Sequence, residues 1–311
     1  MATALITHKD CLGHENLPGH PERPERLEAI LARLDAPEFS ELRRFEAPLG
    51  TDELVLLAHP KTYLDSIKAS APARGLVSLD QDTQMNPGSL AAAMRGVGAI
   101  ALAVDLVCGG DARNAFSAVR PPGHHAERQR AMGFCLFGNA VIGARHAMTS
   151  HGVGKVAIVD FDVHHGNGTQ DLVWDDERVF FASTHQMPLY PGTGHSSEIG
   201  AFGNILNVPF APGFDGKSLI NALKTRILPA IREHRPDLLI ISAGFDAHRD
   251  DPLANLNFNE DDFAEATRQL CSVADELCNG RVVSTLEGGY DLDALAESVA
   301  AHVGVLMENG K

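Results

Sequence analysis

Carboxylates and imidazoles cluster in residues 157–170, AIVDFDVHHGNGTQ. Asp162 and His164 are two positions apart, so on extended backbone their side chains point the same way. Asp246, in the segment SAGFDAHRDDPL, offers a third ligand. One imidazole and two carboxylates suit Zn²⁺ or Fe²⁺, and three protein ligands with an open position are typical of a catalytic metal. The alternative for Asp162 and His164 is a hydrogen-bonded pair that caps a strand.

Two adjacent histidines, His124 and His125, occur in the segment RPPGHHAE. Beside a metal-activated water, a histidine is the expected general base and later general acid. Its second ring nitrogen needs an acceptor, and Asp160 and Asn167 are placed to serve the pair. Tyr290 follows two glycines and can donate its hydroxyl to a developing oxyanion. Taken singly, each has an ordinary alternative, either a solvated loop histidine or a tyrosine packed at a turn.

Strand-like segments precede these motifs. Six short runs are apolar at consecutive positions, as strands buried on both faces are; they cover residues 114–119, 155–161, 178–184, 204–210, 237–245 and 281–289. Helical patterns lie between several of them, over residues 136–150, 217–233 and 259–277. This alternation predicts an α/β fold, with a parallel sheet and helices on both faces, in a single domain over residues 1–311. Five of the strands end in the polar motifs, which predicts one composite site at the carboxyl edge of the sheet.

Composition excludes several classes of protein. The net charge is −15, from 26 Lys and Arg against 41 Asp and Glu, which argues against direct nucleic-acid binding. The five cysteines form no CxxC pair, and no signal-peptide pattern is apparent, so we expect a cytoplasmic protein. The apolar stretch at residues 89–110 contains Arg95, Asp105 and several glycines, which indicates a buried helix and not a membrane span. His146 and His151 have no motif around them and are interpreted as ordinary histidines.

Six motifs occur in an order and at spacings similar to those of the histone deacetylase superfamily: RPPGHHA, GFCLFGNA, VDFDVHHGNGTQ, YPGTG, SAGFDAHRDDPL and LEGGYDLDAL. The HHGNGTQ and LEGGY forms resemble the class II-type branch and its bacterial relatives, and the resemblance covers nearly the whole chain. It implies the arginase/deacetylase fold, with a mostly parallel sheet of about eight strands. It also implies a zinc-dependent amide hydrolase that releases acetate and a free amine.

The resemblance implies a role for each matching position. The metal ligands would be Asp162, His164 and Asp246, the catalytic group His124, His125, Asp160, Asn167 and Tyr290, and the tunnel walls Gly133, Phe134 and Tyr190. A structural K⁺ would be held by the main-chain carbonyls of Asp160, Asp162, His164, Ser183 and Thr184. Asn167 stands where class I relatives carry Asp. Being neutral, it would raise the pKa of its imidazole less than Asp would.

Substrate choice depends on the tunnel mouth. In the polyamine-selective animal branch a Glu follows the DP of the motif after the third ligand, and here Leu253 takes that place. Leu cannot pair with a cation, which favours acetyl-lysine in a protein or peptide. Asp80 and Asp82, on a loop bordering the tunnel, would contact a substrate backbone or an ammonium, or would simply be solvated. The alternatives are an amidohydrolase of acetylpolyamines or other small amides and a non-catalytic acetyl-ligand binding protein. A homo-oligomer is compatible with the sequence.

Overall fold

The computed structural model describes residues 2–310. Its strands are β1 (Thr3–Thr7), β2 (Arg43–Glu46), β3 (Val77–Ser78), β4 (Gln84–Met85), β5 (Asn114–Ser117), β6 (Val156–Asp160), β7 (Val179–Gln186), β8 (Ile205–Phe210), β9 (Leu238–Ala243) and β10 (Val282–Leu286). Its α-helices are α1 (Glu25–Leu34), α2 (Asp52–Leu56), α3 (Lys61–Ser70), α4 (Ser89–Gly109), α5 (Asn139–His151), α6 (Asn167–Val173), α7 (Gly216–Ala222), α8 (Leu228–His234), α9 (Glu260–Cys278) and α10 (Leu292–Asn309).

Within these residues, eight strands form one sheet in the order β2-β1-β5-β10-β9-β6-β7-β8, and every neighbouring pair is parallel. This confirms the predicted parallel α/β sheet, and all six strand-like runs fall on its strands. The central strands β6 and β9 are buried along their whole length, as their continuous apolar sequence predicts. A separate antiparallel pair, β3 and β4, borders the site described below.

The strand order determines where the helices lie. From β5 to β6 and on to β7 the chain advances toward one edge of the sheet, whereas from β8 to β9 and on to β10 it turns back. Because crossovers between parallel strands are right-handed, these opposite directions place their helices on opposite faces. The packing agrees, since α4 contacts α5 while α9 contacts α10, and α10 contacts α1.

Local signals account for most helix boundaries. Asn259 caps α9 by accepting from the N–H groups of Asp261 and Asp262, while the Asp262 side chain accepts from the N–H of Asn259. The helix predicted over residues 217–233 is α7 and α8 joined by a π-helical turn. The helix predicted to start at residue 136 starts at Asn139, because the chain first completes a turn through Gly138. Helix α4 is long and apolar enough to span a membrane, but it is mostly buried against the sheet and α5, as an internal helix is.

The topology opens a crevice between β6 and β9. These two strands are neighbours, yet the connection after β6 leads to β7 on one side and the connection after β9 leads to β10 on the other. Connections that diverge in this way leave a cleft outside the carboxyl ends of the strands, where α/β proteins bind ligands. The residues that follow β6 and β9 are the two motifs that carry the predicted metal ligands.

Candidate active site

The three predicted metal ligands meet in this crevice. His164 Nδ1 lies 3.1 Å from Asp162 Oδ1 and 3.0 Å from Asp246 Oδ2. One ligand atom from each residue lies within 4.8 Å of the other two, and all three side chains are buried. A buried imidazole between two buried carboxylates is a donor set that fits a divalent metal such as Zn²⁺.

Backbone N–H groups hold the two carboxylates in place. Asp162 Oδ1 accepts from the N–H of His164 at 2.9 Å, and Oδ2 accepts from the N–H of Gly288 at 2.8 Å. Asp246 Oδ1 accepts from the N–H of Val163 at 2.8 Å. A Cβ added at Gly288 would overlap both carboxylates, so the loop after β10 can cross the cluster this closely only as glycine.

The two carboxylates ionise differently. Burial favours the neutral form of Asp162, but His124 and His164 outweigh it and hold the pKa of Asp162 far below its usual range. Burial, reinforced by the charge of Asp162, raises the pKa of Asp246 to about 7. Two carboxylates this close repel each other, and a divalent cation between them removes that repulsion. The charge of the cluster therefore favours a bound cation.

The tandem histidines each have the partner that the sequence predicts. His124 Nδ1 donates to Asp160 Oδ2 at 2.9 Å, and His125 Nδ1 lies 2.7 Å from Asn167 Oδ1. The Asn167 amide is oriented by Glu127, whose Oε1 accepts from Nδ2 at 2.8 Å. Because a carboxylate only accepts, Asn167 turns its oxygen to His125, and His125 donates through Nδ1. Its Nε2 is left as the acceptor, as a general base requires.

Their surroundings push the pKa values of these two histidines apart. Burial favours the neutral form of His124, but the charges of Asp162 and Asp160 outweigh it and raise its pKa well above the usual value. Burial, together with the charges of His124 and His164, lowers the pKa of His125 well below the usual value. One imidazole is therefore cationic and its neighbour is a neutral base, a division of roles typical of acid–base sites.

Tyr290 and His125 line the same pocket, which is described below. Its ring packs edge-on against Phe134 at 5.9 Å, and the guanidinium of Arg26 lies 4.8 Å from the ring centroid. Its N–H donates to Asp251 Oδ2 at 2.7 Å. Burial raises the pKa of the phenol well above its usual value, so the hydroxyl keeps its proton and remains a hydrogen-bond donor.

A buried ionic network behind this tyrosine was missing from the sequence analysis. Arg120 donates to both carboxylate oxygens of Glu22, at 2.6 and 2.7 Å, and Arg26 Nη1 donates to Glu22 Oε1 at 3.1 Å. Arg26 also donates to the carbonyls of Gly289 and Glu287, which precede the tyrosine. All three charged side chains are fully buried. The signal available was the charge in HPERPER and RPPG, but the sequence does not tell which of those charges are buried.

Glu287 is a further residue of the site that was not predicted from the sequence. Its Oε2 accepts from the N–H groups of Gly123 and His124, at 2.7 and 3.1 Å, and its Oε1 accepts from the Ser242 hydroxyl at 3.2 Å. Burial raises the pKa of this carboxyl to about 7. Glu287 thereby ties the backbone of the first histidine to the end of β10.

A pocket of about 250 Å³ leads from the surface to the cluster. Its lining residues are Asp82, His125, Gly133, Phe134, His164, Leu189, Tyr190, Leu253 and Tyr290. Five residues predicted to contact substrate border it, namely Asp82, Gly133, Phe134, Tyr190 and Leu253, and Leu189 is an addition. Gly133 and Phe134 both have positive φ, +56° and +68°, and their N–H groups donate to Asp82 Oδ1 and Thr83 Oγ1. The loop leading into β4 thus holds one tunnel wall in a turn that most side chains avoid.

Asp80 is placed differently from Asp82. Its carboxylate accepts from Arg130 at 2.8 Å, and it does not border the pocket. Ser183 of β7 is the register partner of Asp160, so two of the five residues predicted to offer carbonyls to K⁺ are neighbours. The Thr184 hydroxyl is buried and has no hydrogen-bond partner among the described residues.

Known proteins are similar to this chain over most of its length. Residues 20–306 match the histone deacetylase domain. The histone deacetylase-like amidohydrolase of Pseudomonas aeruginosa is 39% identical over 277 residues, which cover 88% of this chain and 73% of that protein. A probable deacetylase of Archaeoglobus fulgidus is 36% identical over 302 residues, covering 94% and 82%. The crystal structure of the HDA15 HD domain superposes with a TM-score of 0.94 at 35% identity, covering 99% of this chain and 88% of that one.

The chain belongs to the histone deacetylase family, and its fold is the arginase/deacetylase fold. It is a hydrolase that acts on amides, a deacetylase or amidohydrolase for acetylated substrates. The alternative of a non-catalytic acetyl-ligand binding protein is therefore set aside. The buried ligand cluster agrees with the metal dependence of the family.

Proposed function

We propose that the protein is a zinc-dependent deacetylase that hydrolyses N-ε-acetyl-lysine in proteins or peptides to acetate and the free amine. The observation that carries this proposal is the narrow pocket that ends on a three-ligand cluster beside one cationic and one neutral histidine. A lysine side chain is a thin aliphatic stem with its amide at the far end, and the walls formed by Phe134, Leu189 and Tyr190 fit such a stem.

Zn²⁺ held by Asp162, His164 and Asp246 would polarise the acetyl carbonyl and lower the pKa of an attacking water. His125 accepts the proton of that water on Nε2, since Nδ1 is committed to Asn167. Tyr290 donates its hydroxyl to the oxygen that becomes negative when the carbonyl carbon turns tetrahedral. His125 then returns the proton to the leaving amine. His124, kept cationic by its carboxylate neighbours, offsets negative charge at the reacting centre.

We include a structural K⁺ in this proposal. Its ligands would be the main-chain carbonyls of Asp160, Asp162, His164, Ser183 and Thr184. The pairing of β6 with β7 supports the K⁺ site, because it places Asp160 and Ser183 side by side. The unpartnered Thr184 hydroxyl also supports it, because a buried polar atom is normally satisfied and an ion beside it would meet that need. Fe²⁺ in place of Zn²⁺ fits the same three side chains.

The charge at the tunnel mouth favours a peptide over a polyamine. Asp80 is paired with Arg130, and Leu253 presents no charge. This leaves Asp82 as the carboxylate on the pocket wall, and one of its oxygens accepts from Gly133 and Thr83. One carboxylate can accept from the N–H of an acetyl-lysine backbone, but the several ammonium groups of a polyamine call for more negative charge than this.

The test is a comparison of initial rates on an acetyl-lysine peptide, acetylputrescine and acetylspermidine, each with and without a zinc chelator. We expect chelator-sensitive turnover with the highest kcat/KM on the peptide. Leu253→Glu adds a carboxylate to the tunnel mouth and should raise kcat/KM for acetylspermidine relative to the peptide. Leu253→Gln introduces a side chain of the same size as Glu but without charge, so it should not change this ratio. A preference of the unmodified enzyme for either polyamine would overturn the choice of substrate. Turnover that chelation leaves unchanged would overturn the metal assignment.

A further inference from the structure

A second group of metal-ligating side chains lies far from the pocket. Asp105 of α4 and His146 and His151 of α5 form what we call the outer cluster. Nε2 of His146 and Nε2 of His151 both lie 2.7 Å from the same atom, Asp105 Oδ1. The two imidazole rings are 5.9 Å apart and nearly perpendicular, at 82°. One ligand atom from each of the three residues lies within 4.8 Å of the other two.

The outer cluster lies at the opposite end of the sheet from the pocket. Helix α4 ends just before β5 begins, and α5 ends just before β6 begins. The ends of these helices therefore lie at the amino edge of the sheet, while the pocket lies at its carboxyl edge. Both histidines are partly exposed and Asp105 is about half exposed, so an ion from solvent can reach all three side chains.

The convergence resembles that of the predicted metal ligands Asp162, His164 and Asp246, which we call the catalytic cluster. There an imidazole nitrogen lies 3.0 and 3.1 Å from two carboxylate oxygens, and here two imidazole nitrogens lie 2.7 Å from one. Two histidines and one carboxylate are a donor set suited to borderline divalent ions such as Zn²⁺, Ni²⁺ and Cu²⁺. The alternative is an ordinary surface hydrogen bond, in which both imidazoles donate to the carboxylate and no ion is involved.

One histidine has a partner on its second nitrogen. The Ser150 hydroxyl lies 3.2 Å from His146 Nδ1. A hydroxyl can accept as well as donate, so it can accept a hydrogen bond from the Nδ1–H of His146 when Nε2 is engaged as a ligand. An outer partner of this kind fixes the tautomer and the ring orientation of a metal-ligating histidine. Together with the packing of α4 on α5, it limits how far the site must rearrange to bind.

We propose that the outer cluster binds one divalent transition-metal ion, of which Zn²⁺ is the representative. This ion joins α4 to α5 at the amino edge of the sheet. The site is independent of the catalytic centre. Its ion would have three protein ligands and open positions filled by water. Occupancy should stabilise the folded chain because the unfolded chain does not hold the three ligands together.

The direct test is calorimetric titration of ZnCl₂ into enzyme already loaded with one zinc per chain. We expect one further equivalent to bind. Asp105→Asn and His151→Gln should each weaken that step by at least about tenfold, because each removes one of three ligands. His195→Gln, at an exposed histidine outside the outer cluster, should leave it unchanged.

Thermal unfolding gives an independent measurement on the same proteins. Added Zn²⁺ should raise the Tm of the one-zinc enzyme and of His195→Gln, and should have less effect on Asp105→Asn and His151→Gln. All four proteins should have equal activity without added zinc, since the outer cluster takes no part in turnover. The proposal is wrong if the one-zinc enzyme binds no second equivalent at 100-fold excess zinc, or if the outer-cluster variants bind it as tightly.

Discussion

The catalytic cluster and the outer cluster use the same kinds of side chain in opposite settings. In the catalytic cluster both carboxylates accept backbone N–H groups, three in all from two segments of the chain, and every ligand is buried. In the outer cluster Asp105 is held by two imidazoles, and all three side chains reach solvent. Ligands fixed by the backbone lose little freedom when an ion binds, whereas exposed side chains must be ordered by the ion itself.

The kinds of side chain that can bind a metal do not by themselves make a catalytic centre. The catalytic cluster has a second layer of buried titratable groups, Asp160, Glu287 and the cationic His124, and a pocket that can deliver an amide to it. In the outer cluster, the Ser150 hydroxyl is hydrogen-bonded to His146, and the cluster is otherwise open to solvent. We therefore expect tight binding and chemistry at the first, and weaker binding without chemistry at the second.

The largest contrast should come from the same substitution in both clusters. Asp162→Asn removes a charged ligand from the catalytic cluster, so zinc content after dialysis should fall to near zero and kcat by a factor of about 10³ or more. Asp105→Asn should keep the catalytic zinc and a kcat within about twofold of the wild type. Zinc analysis and initial rates on the acetyl-lysine peptide measure both. Circular dichroism of the first variant shows whether its loss of zinc reflects unfolding. Equal losses of zinc and of kcat in the two variants would contradict the difference proposed between the two clusters.

A smaller effect should separate metal binding from chemistry within the catalytic cluster. Tyr290→Phe deletes the hydroxyl assigned to the oxyanion but keeps the ring that packs against Phe134 and under Arg26. We expect kcat to fall by a factor of about 10² to 10³, as when an oxyanion donor is lost, while the enzyme retains its zinc. Near-normal turnover in a zinc-loaded variant would contradict the role given to the hydroxyl.

Substitution of Glu287, which lies behind the metal ligands, should reduce kcat less than the two preceding variants do. Glu287→Ala leaves the buried N–H groups of Gly123 and His124 without their acceptor, at a cost of about 1–3 kcal/mol for each unsatisfied group. We expect lower stability and a kcat reduced by a factor of about 10 to 100, because the backbone of the tandem histidines is no longer fixed.

Glu287→Gln is the matched control for that variant. Its amide oxygen can still accept from both N–H groups, and its amide nitrogen can donate to the Ser242 hydroxyl. Stability and kcat should therefore lie closer to those of the wild type than to those of Glu287→Ala. If both variants behave alike, the charge of Glu287 matters and not its hydrogen bonds.

The convergence of Asp162, His164 and Asp246 can be predicted from the sequence, because these residues are close in the chain or follow a recognisable strand. Asp162 and His164 share one segment, and the apolar run before Asp246 identifies the strand that carries it. The outer cluster gives no such signal. His146 and His151 are five positions apart on one helix and Asp105 is on another, so only the packing of α4 on α5 brings them together.

The same reasoning explains what the sequence did not predict in the fold. Strand β2, RRFE, is a mostly exposed edge strand without an apolar run, and only its parallel pairing with β1 identifies it. Arg26, Arg120 and Glu22 read as surface charges, yet each is fully buried, because Glu22 pairs with both guanidinium groups. Burial of a charge depends on the partner that the fold supplies, and that information is not local in the chain.

The smallest effect concerns a buried histidine that belongs to neither cluster. His302 of α10 lies 2.7 Å from Thr267 Oγ1 and 2.9 Å from Ser284 Oγ. The Thr267 hydroxyl donates to the Phe263 carbonyl, so it must accept from His302 Nδ1, and His302 Nε2 is left to accept from Ser284. The neutral imidazole therefore satisfies every partner, and burial lowers its pKa to about 3.

In the unfolded chain the pKa of this histidine is about 6.5. Between about pH 6 and pH 4 the unfolded state therefore binds a proton that the folded state does not, so His302 makes stability fall as the pH falls, by up to about 1.4 kcal/mol per pH unit. His302→Gln removes this titration. Urea denaturation at each pH gives the unfolding free energy of both proteins. As the pH is lowered, the wild type should lose stability relative to His302→Gln by up to about 1.4 kcal/mol per pH unit. Ser298→Ala, one turn earlier on α10, removes a buried group that does not titrate, so its difference from wild type should stay constant. Parallel curves for wild type and His302→Gln would show that His302 takes up its proton in the folded protein as readily as in the unfolded chain.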